Sequence, residues 1–175
     1  IHWFVNRSIL ELGIVASNQS ESPDDTVLNG WNYAKKIRDL LKFEFFFPDQ
    51  DVWQEQMQQE LLAIEPGFPQ VRPTPRQLQD ALVGSGFMMA HRVLRAFLGA
   101  QLVVAERLAV REPEWEIDKD EFLAECVRVG RQMLLQTRLQ SPESVSSELF
   151  ASAYKLAANR NLLGPGGPEL REQRT

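Results

Sequence analysis

Cysteine and histidine are nearly absent from this 175-residue chain, and each shortage removes a class of function. The single cysteine, Cys126, rules out an internal disulfide framework. With only two histidines beside it, His2 and His91, almost nothing is left for a zinc site, which needs about three or four Cys, His or carboxylate ligands. Such sparing use of cysteine fits a reducing compartment. No window approaches the run of about 18–20 apolar residues that spans a membrane as a helix, and no basic, apolar, small-residue series reads as a signal peptide. Alternating β-type runs flanked by turn residues are also nearly missing. Charge of one sign does not dominate either. The 24 acidic and 19 basic side chains leave a net charge of −5, too evenly mixed for a nucleic-acid arm, so no nucleic-acid partner is expected.

What is present is helical. At 43% hydrophobic and 25% charged residues the composition is that of a globular chain, and the length sits near one domain on the usual prior of about 100–200 residues. The fold class expected is all-α, an irregular bundle of about six helices with a proline-rich internal linker. Ile1, Phe4, Val5, Ile9 and Leu12 recur at helical spacing up to about Ala16. A second helix starts at Ser22 and Pro23, with Asp24 and Asp25 in its first turn, and presents Val27, Trp31, Ala34, Ile37 and Leu41 before Pro48 stops it. The third, roughly 51–64, buries Trp53, Met57, Leu61 and Ile64, with Asp49 or Asp51 as its cap.

Residues 65–75 hold Pro66, Gly67, Pro69, Pro73 and Pro75, so neither helix nor central strand persists there. This linker separates front helices (1–64) from back helices (76–163). Thr74 and Pro75 open a short helix to about Val83, ended by Gly84-Ser85-Gly86. A long helix from Phe87 to Ala109 then shows Val93, Leu94, Phe97, Leu98, Leu102, Ala105 and Leu108. Asp118, three residues before Glu121, caps a helix over 119–136 that faces inward through Phe122, Cys126, Val129 and Met133. Ser141-Pro142-Glu143 caps the last helix, lined by Val145, Leu149, Ala153, Leu156 and Ala157. From Gly164 to Thr175 a flexible tail is expected. A chain that opens on Ile1, inside an apolar pattern, reads as a piece of a longer protein.

Few residues suggest chemistry on their own. Cys126 and His91 could be imagined as nucleophile and base, but a lone cysteine on an apolar helix face is usually a small core residue. Ser152 and Lys155 match Ser-x-x-Lys without any companion motif. Two features are stronger. Phe43, Phe45, Phe46 and Phe47, with Trp53 nearby, form an aromatic cluster that suits core, an acyl-chain cleft or a membrane interface, with core weighted highest. Arg92, Arg95, Arg107 and Arg111 form two close pairs at helical spacing, suited to anionic lipid, an acidic carrier protein or the chain's own acidic segment Glu112–Glu125, against an equal weight for a plain solvated face.

Three blocks then look familiar: Ile1-His2-Trp3-Phe4-Val5-Asn6-Arg7-Ser8-Ile9-Leu10-Glu11-Leu12, Lys42-Phe43-Glu44-Phe45-Phe46-Phe47-Pro48, and Leu94-Arg95-Ala96-Phe97-Leu98. Together with Gly130-Arg131-Gln132, Ser141-Pro142-Glu143-Ser144-Val145-Ser146 and Ala157-Ala158-Asn159-Arg160-Asn161-Leu162-Leu163, they resemble, in order and spacing, the C-terminal region of bacterial glycerol-3-phosphate 1-O-acyltransferases, the actinobacterial type above all. The resemblance spans residues 1–163. It implies a parent enzyme that moves an acyl group from acyl-CoA or acyl carrier protein to the sn-1 hydroxyl of glycerol 3-phosphate, with no cofactor, on the cytoplasmic face of the membrane. It also implies an upstream acyltransferase domain as partner, because the family's catalytic His-x-x-x-x-Asp motif is missing here. Five positions after His2 stands Arg7, and five after His91 stands Ala96. The third block departs from the family pattern, with Ala96 where proline is expected and Gly99 and Gln101 where Glu and Tyr are common. On this reading the aromatic cluster and the arginines support the catalytic domain and membrane docking, and the isolated chain is inactive. The competing reading is a non-enzymatic all-α interaction or ligand-sensing domain, such as the regulatory half of a transcription factor.

Overall fold

The computed structural model describes residues 2–17, 23–68, 70, 73–86 and 88–175, and among them every regular element is helical. The order is α1 (His2–Ser17), α2 (Pro23–Leu40), α3 (Gln50–Ile64), α4 (Pro75–Gly84), α5 (Ala90–Val93), α6 (Arg95–Ala109), α7 (Lys119–Leu135), a 3-10 turn (Pro142–Ser144), α8 (Ser147–Asn159) and α9 (Pro168–Arg174). The chain divides into two compact units, Ile1–Leu94 and Arg95–Thr175. The division therefore falls twenty residues beyond the proline-rich linker, whose two sides belong to one unit in which α3 packs against α4. Within the linker Glu65 ends α3 and turns the chain, with Phe68 N–H donating to the Glu65 carbonyl at 3.1 Å.

In the first unit α1 is the hub, packing against α2, α3, α4 and α5. Its buried face carries Val5, Ile9, Leu10 and Ile14, while Phe4, placed by periodicity on the same helix, is exposed. The crossing with α2 depends on two glycines. A Cβ on Gly13 would stand 2.9 Å from the Gly30 carbonyl oxygen, a contact only glycine permits. From α2, Ala34, Ile37 and Leu41 enter the core. The caps expected at Ser22 and in the Asp24–Asp25 turn lie outside the described residues or side chains. α3 buries Trp53, Met57, Leu61 and Ile64, the stripe its spacing predicts. Asp49 occupies its N-cap position without a side-chain cap bond. α4 begins with a full capping box: Thr74 Oγ1 accepts from Gln77 N–H at 3.3 Å, and Gln77 Oε1 accepts from Thr74 N–H at 2.8 Å.

Several boundaries depart from the sequence pattern, each for a local reason. α2 stops at Leu40 rather than at Pro48, because the N–H groups of Glu44 and Phe45 both turn back to the Leu41 carbonyl and carry Phe45 inward. The long helix 87–109 is two helices, broken at the buried Leu94. Pro142 leads only the 3-10 turn, and α8 begins five residues later than Ser141 suggests, capped by Ser146 Oγ accepting from Leu149 N–H. The tail expected to be flexible carries α9, held by the buried Leu170 and Arg174.

The second unit is built on α6, which packs against α7, α8, α9 and the 3-10 turn. Phe122, Phe150, Cys126, Met133, Val103 and Val104 form its core. Phe150 is fully buried although the spacing reading passes over it, and Leu102 and Ala105 face outward while Ala100, Val103, Val104 and Leu108 face in. α6 is apolar around nearly its whole middle, so periodicity does not set its phase. At the 3-10 turn the backbone comes so close that a Cβ on Gly99 would lie 2.9 Å from Ser144 Cβ.

Candidate functional site

The aromatic cluster is sorted by the turn 41–48 into pedestal and tip. Phe45 is buried at 8% exposure and Trp53 is completely enclosed, whereas Phe43 is 43% and Phe46 87% exposed. Phe47 is half-buried and meets Phe45 edge to face, ring centroids 6.4 Å apart. Arg38, from the last turn of α2, locks this arrangement. Its guanidinium lies 5.4 Å from the Phe47 ring centre and 5.2 Å from that of Trp53, and donates to the Pro48 carbonyl at 2.7 Å. Its Nε is buried without a hydrogen bond among the described residues, a cost that the two ring faces offset. The Trp53 indole N–H donates to Asn6 Oδ1 at 3.0 Å, and Asn6 Nδ2 donates to Gln56 Oε1 at 3.0 Å.

Beside the turn runs an open groove of about 500 Å³, lined by Val5, Asn6, Phe45, Phe46, Phe47, Pro48 and Gln56. Mainly apolar walls with the Asn6–Gln56 amide pair among them suit an aliphatic chain or an amphipathic surface group rather than an ion. Elsewhere in the first unit a smaller, half-open apolar hollow of about 30 Å³ is lined by residues of α1, α2, α3 and α4, Leu10, Gly13, Ala34, Leu61 and Leu78 among them.

The four arginines are divided between the two units. Arg92 is exposed on α5 in the first unit, and Arg95 is exposed at the start of α6 in the second. Arg107 and Arg111 are engaged within the chain. The Arg107 guanidinium bonds Glu125 Oε1 through Nη2 at 2.7 Å and through Nε at 2.9 Å, Arg111 reaches Glu125 Oε2, and Arg111 also lies 5.7 Å above the Phe122 ring. One carboxylate of the acidic segment thus clamps both cations, leaving neither extended toward an outside anion.

Two groups overlooked in the sequence organise the first unit. Glu11, 2% exposed on α1, accepts from Met89 N–H at 3.0 and 2.8 Å and from Ala90 N–H at 2.7 Å, so a carboxylate from α1 caps the N-terminus of α5. The buried Arg7 donates to the same carboxylate at 3.4 Å and to Ser85 Oγ at 3.0 Å. The signal was available: an Arg and a Glu four apart fall on a helix face otherwise apolar. Arg38 left none, since its partners are assembled only by the turn.

Among the described side chains no catalytic set assembles. Cys126 is buried in the second unit, and its thiol is pushed up to about 11, first by burial and then by neighbouring Glu125, so it is no nucleophile at neutral pH. His91 belongs to the first unit, and its side chain, like that of His2, lies outside the described ones. Among the described residues no three His, Cys, Asp or Glu converge as a metal site, and no helix is long and apolar enough to cross a membrane.

The described residues thus form an all-helical region that carries packing surfaces and a groove. It belongs to the family of glycerol-3-phosphate acyltransferase C-terminal regions, whose pattern matches residues 1–166. Over 169 residues it is 38% identical to proteins named acyltransferase plsB1 from Mycobacterium bovis and Mycobacterium tuberculosis, an alignment covering 93% of this chain and 26% of each relative. The chain thus spans about a quarter of the length of the curated relatives it matches. No solved structure matches it.

Proposed function

We propose that this chain is the helical C-terminal part of a glycerol-3-phosphate 1-O-acyltransferase, and that it supports a catalytic domain lying upstream in the same protein. The observation that carries the reading is the family match across residues 1–166, in a chain that holds no His-x-x-x-x-Asp motif. The parent enzyme joins an acyl group from acyl-CoA or acyl carrier protein to the sn-1 hydroxyl of glycerol 3-phosphate. The upstream histidine takes the hydroxyl proton as the oxygen attacks the thioester carbonyl, the thiolate leaves, and lysophosphatidic acid is the product. The helices described here contribute rigid packing surfaces and help to seat the enzyme peripherally on the cytoplasmic face of the membrane.

The test is a transfer assay with labelled glycerol 3-phosphate and palmitoyl-CoA or palmitoyl carrier protein. The parent protein yields labelled lysophosphatidic acid, and replacing the histidine of its upstream motif abolishes the product. The 175-residue chain alone yields none. Acyl transfer by the isolated chain, or a parent without any transfer activity, overturns the proposal.

A further inference from the structure

We propose that the turn 41–48 is a membrane-interface wedge: Phe46 and Phe43 enter the headgroup layer of an anionic bilayer while Lys35 and Lys36 meet its phosphates. The inference rests on the reading of the chain as part of a peripheral membrane enzyme, and it singles out one contact from the nine residues nominated by sequence.

Three observations carry it. First, the tip is exposed while its base is fixed. Phe46 is 87% exposed, more than any other aromatic side chain described, yet its neighbours on both sides are anchored, Phe45 in the core and Phe47 against Arg38. A protruding aromatic on a rigid turn is an arrangement that gains from entering an interface and loses little conformational entropy in doing so. Second, local charge runs against the charge of the whole chain. Between Lys35 and Pro48 the basic residues Lys35, Lys36, Arg38 and Lys42 outnumber Asp39 and Glu44, within a chain of net charge −5. Lys42 pairs with Asp39 at 2.9 Å and lies 5.6 Å from the Phe43 ring centre, so the exposed Lys35 and Lys36 carry the surplus. An overall acidic protein approaches an anionic surface through such a local basic site. Third, the groove behind Phe46 is open and mainly apolar, which leaves room for lipid tails displaced by the inserted ring.

The 175-residue chain is tested for sedimentation with vesicles of phosphatidylcholine alone and with about one third phosphatidylglycerol added. Binding is expected to the anionic vesicles and to weaken with salt. Phe46→Ser, at a site too exposed to affect folding, lowers the partition coefficient about tenfold, and Phe43→Ser with Phe46→Ser lowers it further. Lys35→Gln with Lys36→Gln lowers it by about fivefold per lysine, and only on anionic vesicles. A second readout places an environment-sensitive dye on Phe46→Cys, which labels singly because Cys126 is buried. Its emission shifts blue on anionic vesicles. A chain that ignores anionic vesicles, a Phe46→Ser variant that binds like the unmodified chain, or a dye that responds to an acidic carrier protein but not to vesicles each overturns the wedge. No acyl transfer enters the measurement. A vesicle-binding chain from a parent without transferase activity refutes the functional reading alone, and an active parent whose Phe46→Ser variant binds normally refutes the wedge alone.

Discussion

The two units reach stability by different chemistry. In Ile1–Leu94 the central helix α1 buries an Arg, a Glu and two Ser among its apolar residues, and approaches α2 through two glycines. In Arg95–Thr175 the central cluster is apolar, Phe122, Phe150, Cys126 and Met133 among others, with the Glu125 clamp beside it and the buried Arg174 bound to backbone carbonyls rather than to a carboxylate. A directional polar network tolerates no change of partner, because each donor left behind in the interior bears its full desolvation cost. An apolar core tolerates exchanges of similar volume and resists only removal of bulk. The contrast bears on architecture, since the network fixes α1 against α5 and the end of α4.

Removal of bulk gives the largest expected effect. Phe150→Ala costs about 4–5 kcal/mol in urea unfolding, whereas Phe150→Leu costs less than about 1.5 kcal/mol. If the two variants unfold alike, the second unit is not held by packing in the way described. The counterpart in the first unit is Glu11→Gln, which keeps shape but removes charge. It leaves Arg7 buried without its carboxylate and sets an amide against the N–H groups of Met89 and Ala90, for a loss of about 3–4 kcal/mol in the same measurement. A cost as small as that of Phe150→Leu erases the distinction between the units. Next comes the glycine crossing. Gly13→Ala places a methyl against the Gly30 carbonyl, which as backbone cannot give way, and lowers stability by about 2–3 kcal/mol. Gly84→Ala, with open space around its Cβ, is the control, and its thermal midpoint does not fall but rises by about 1–3 °C.

How much of this the sequence disclosed depends on the range of the interaction that fixes each residue. Helices started by short-range chemistry were readable: Thr74-Pro75 with Gln77, and Asp118, whose side chain accepts from Glu121 N–H at 2.8 Å. The buried stripe of α3 was readable because its period is uninterrupted. α9 was not, because its anchors come from far along the chain. Arg174 donates to the carbonyls of Leu162, Leu163 and Arg111 at 2.7, 2.8 and 3.3 Å, and no property of a segment rich in Gly and Pro announces those acceptors. The aromatic block was legible as a cluster but not as a sorted one. Which phenylalanine points in is decided by where α2 stops, and that is decided by the turn itself. The pairing of Arg107 and Arg111 with Glu125 is likewise a tertiary fact, since α6 and α7 must first be brought side by side.

The smallest effect probes the apolar side of the contrast through a single proton. Burial holds the Cys126 thiol at about 11, above its ordinary value of 9.0. Below pH 9 the thiol is neutral in folded and unfolded chains alike, and the preference of the core for the neutral form is fully present. Between pH 9 and 11 the unfolded chain loses the proton while the folded chain retains it, so the unfolded state binds fewer protons and stability falls as pH rises. The loss is on the order of 1–2 kcal/mol and levels off above the folded value. Denaturant midpoints taken from pH 8 to 10.5 should therefore decline more steeply for the unmodified chain than for Cys126→Ala, whose own cavity cost is the same at every pH. Parallel slopes in the two proteins would mean that Cys126 meets water, and with it that the core around Phe122 and Phe150 is less closed than its packing indicates.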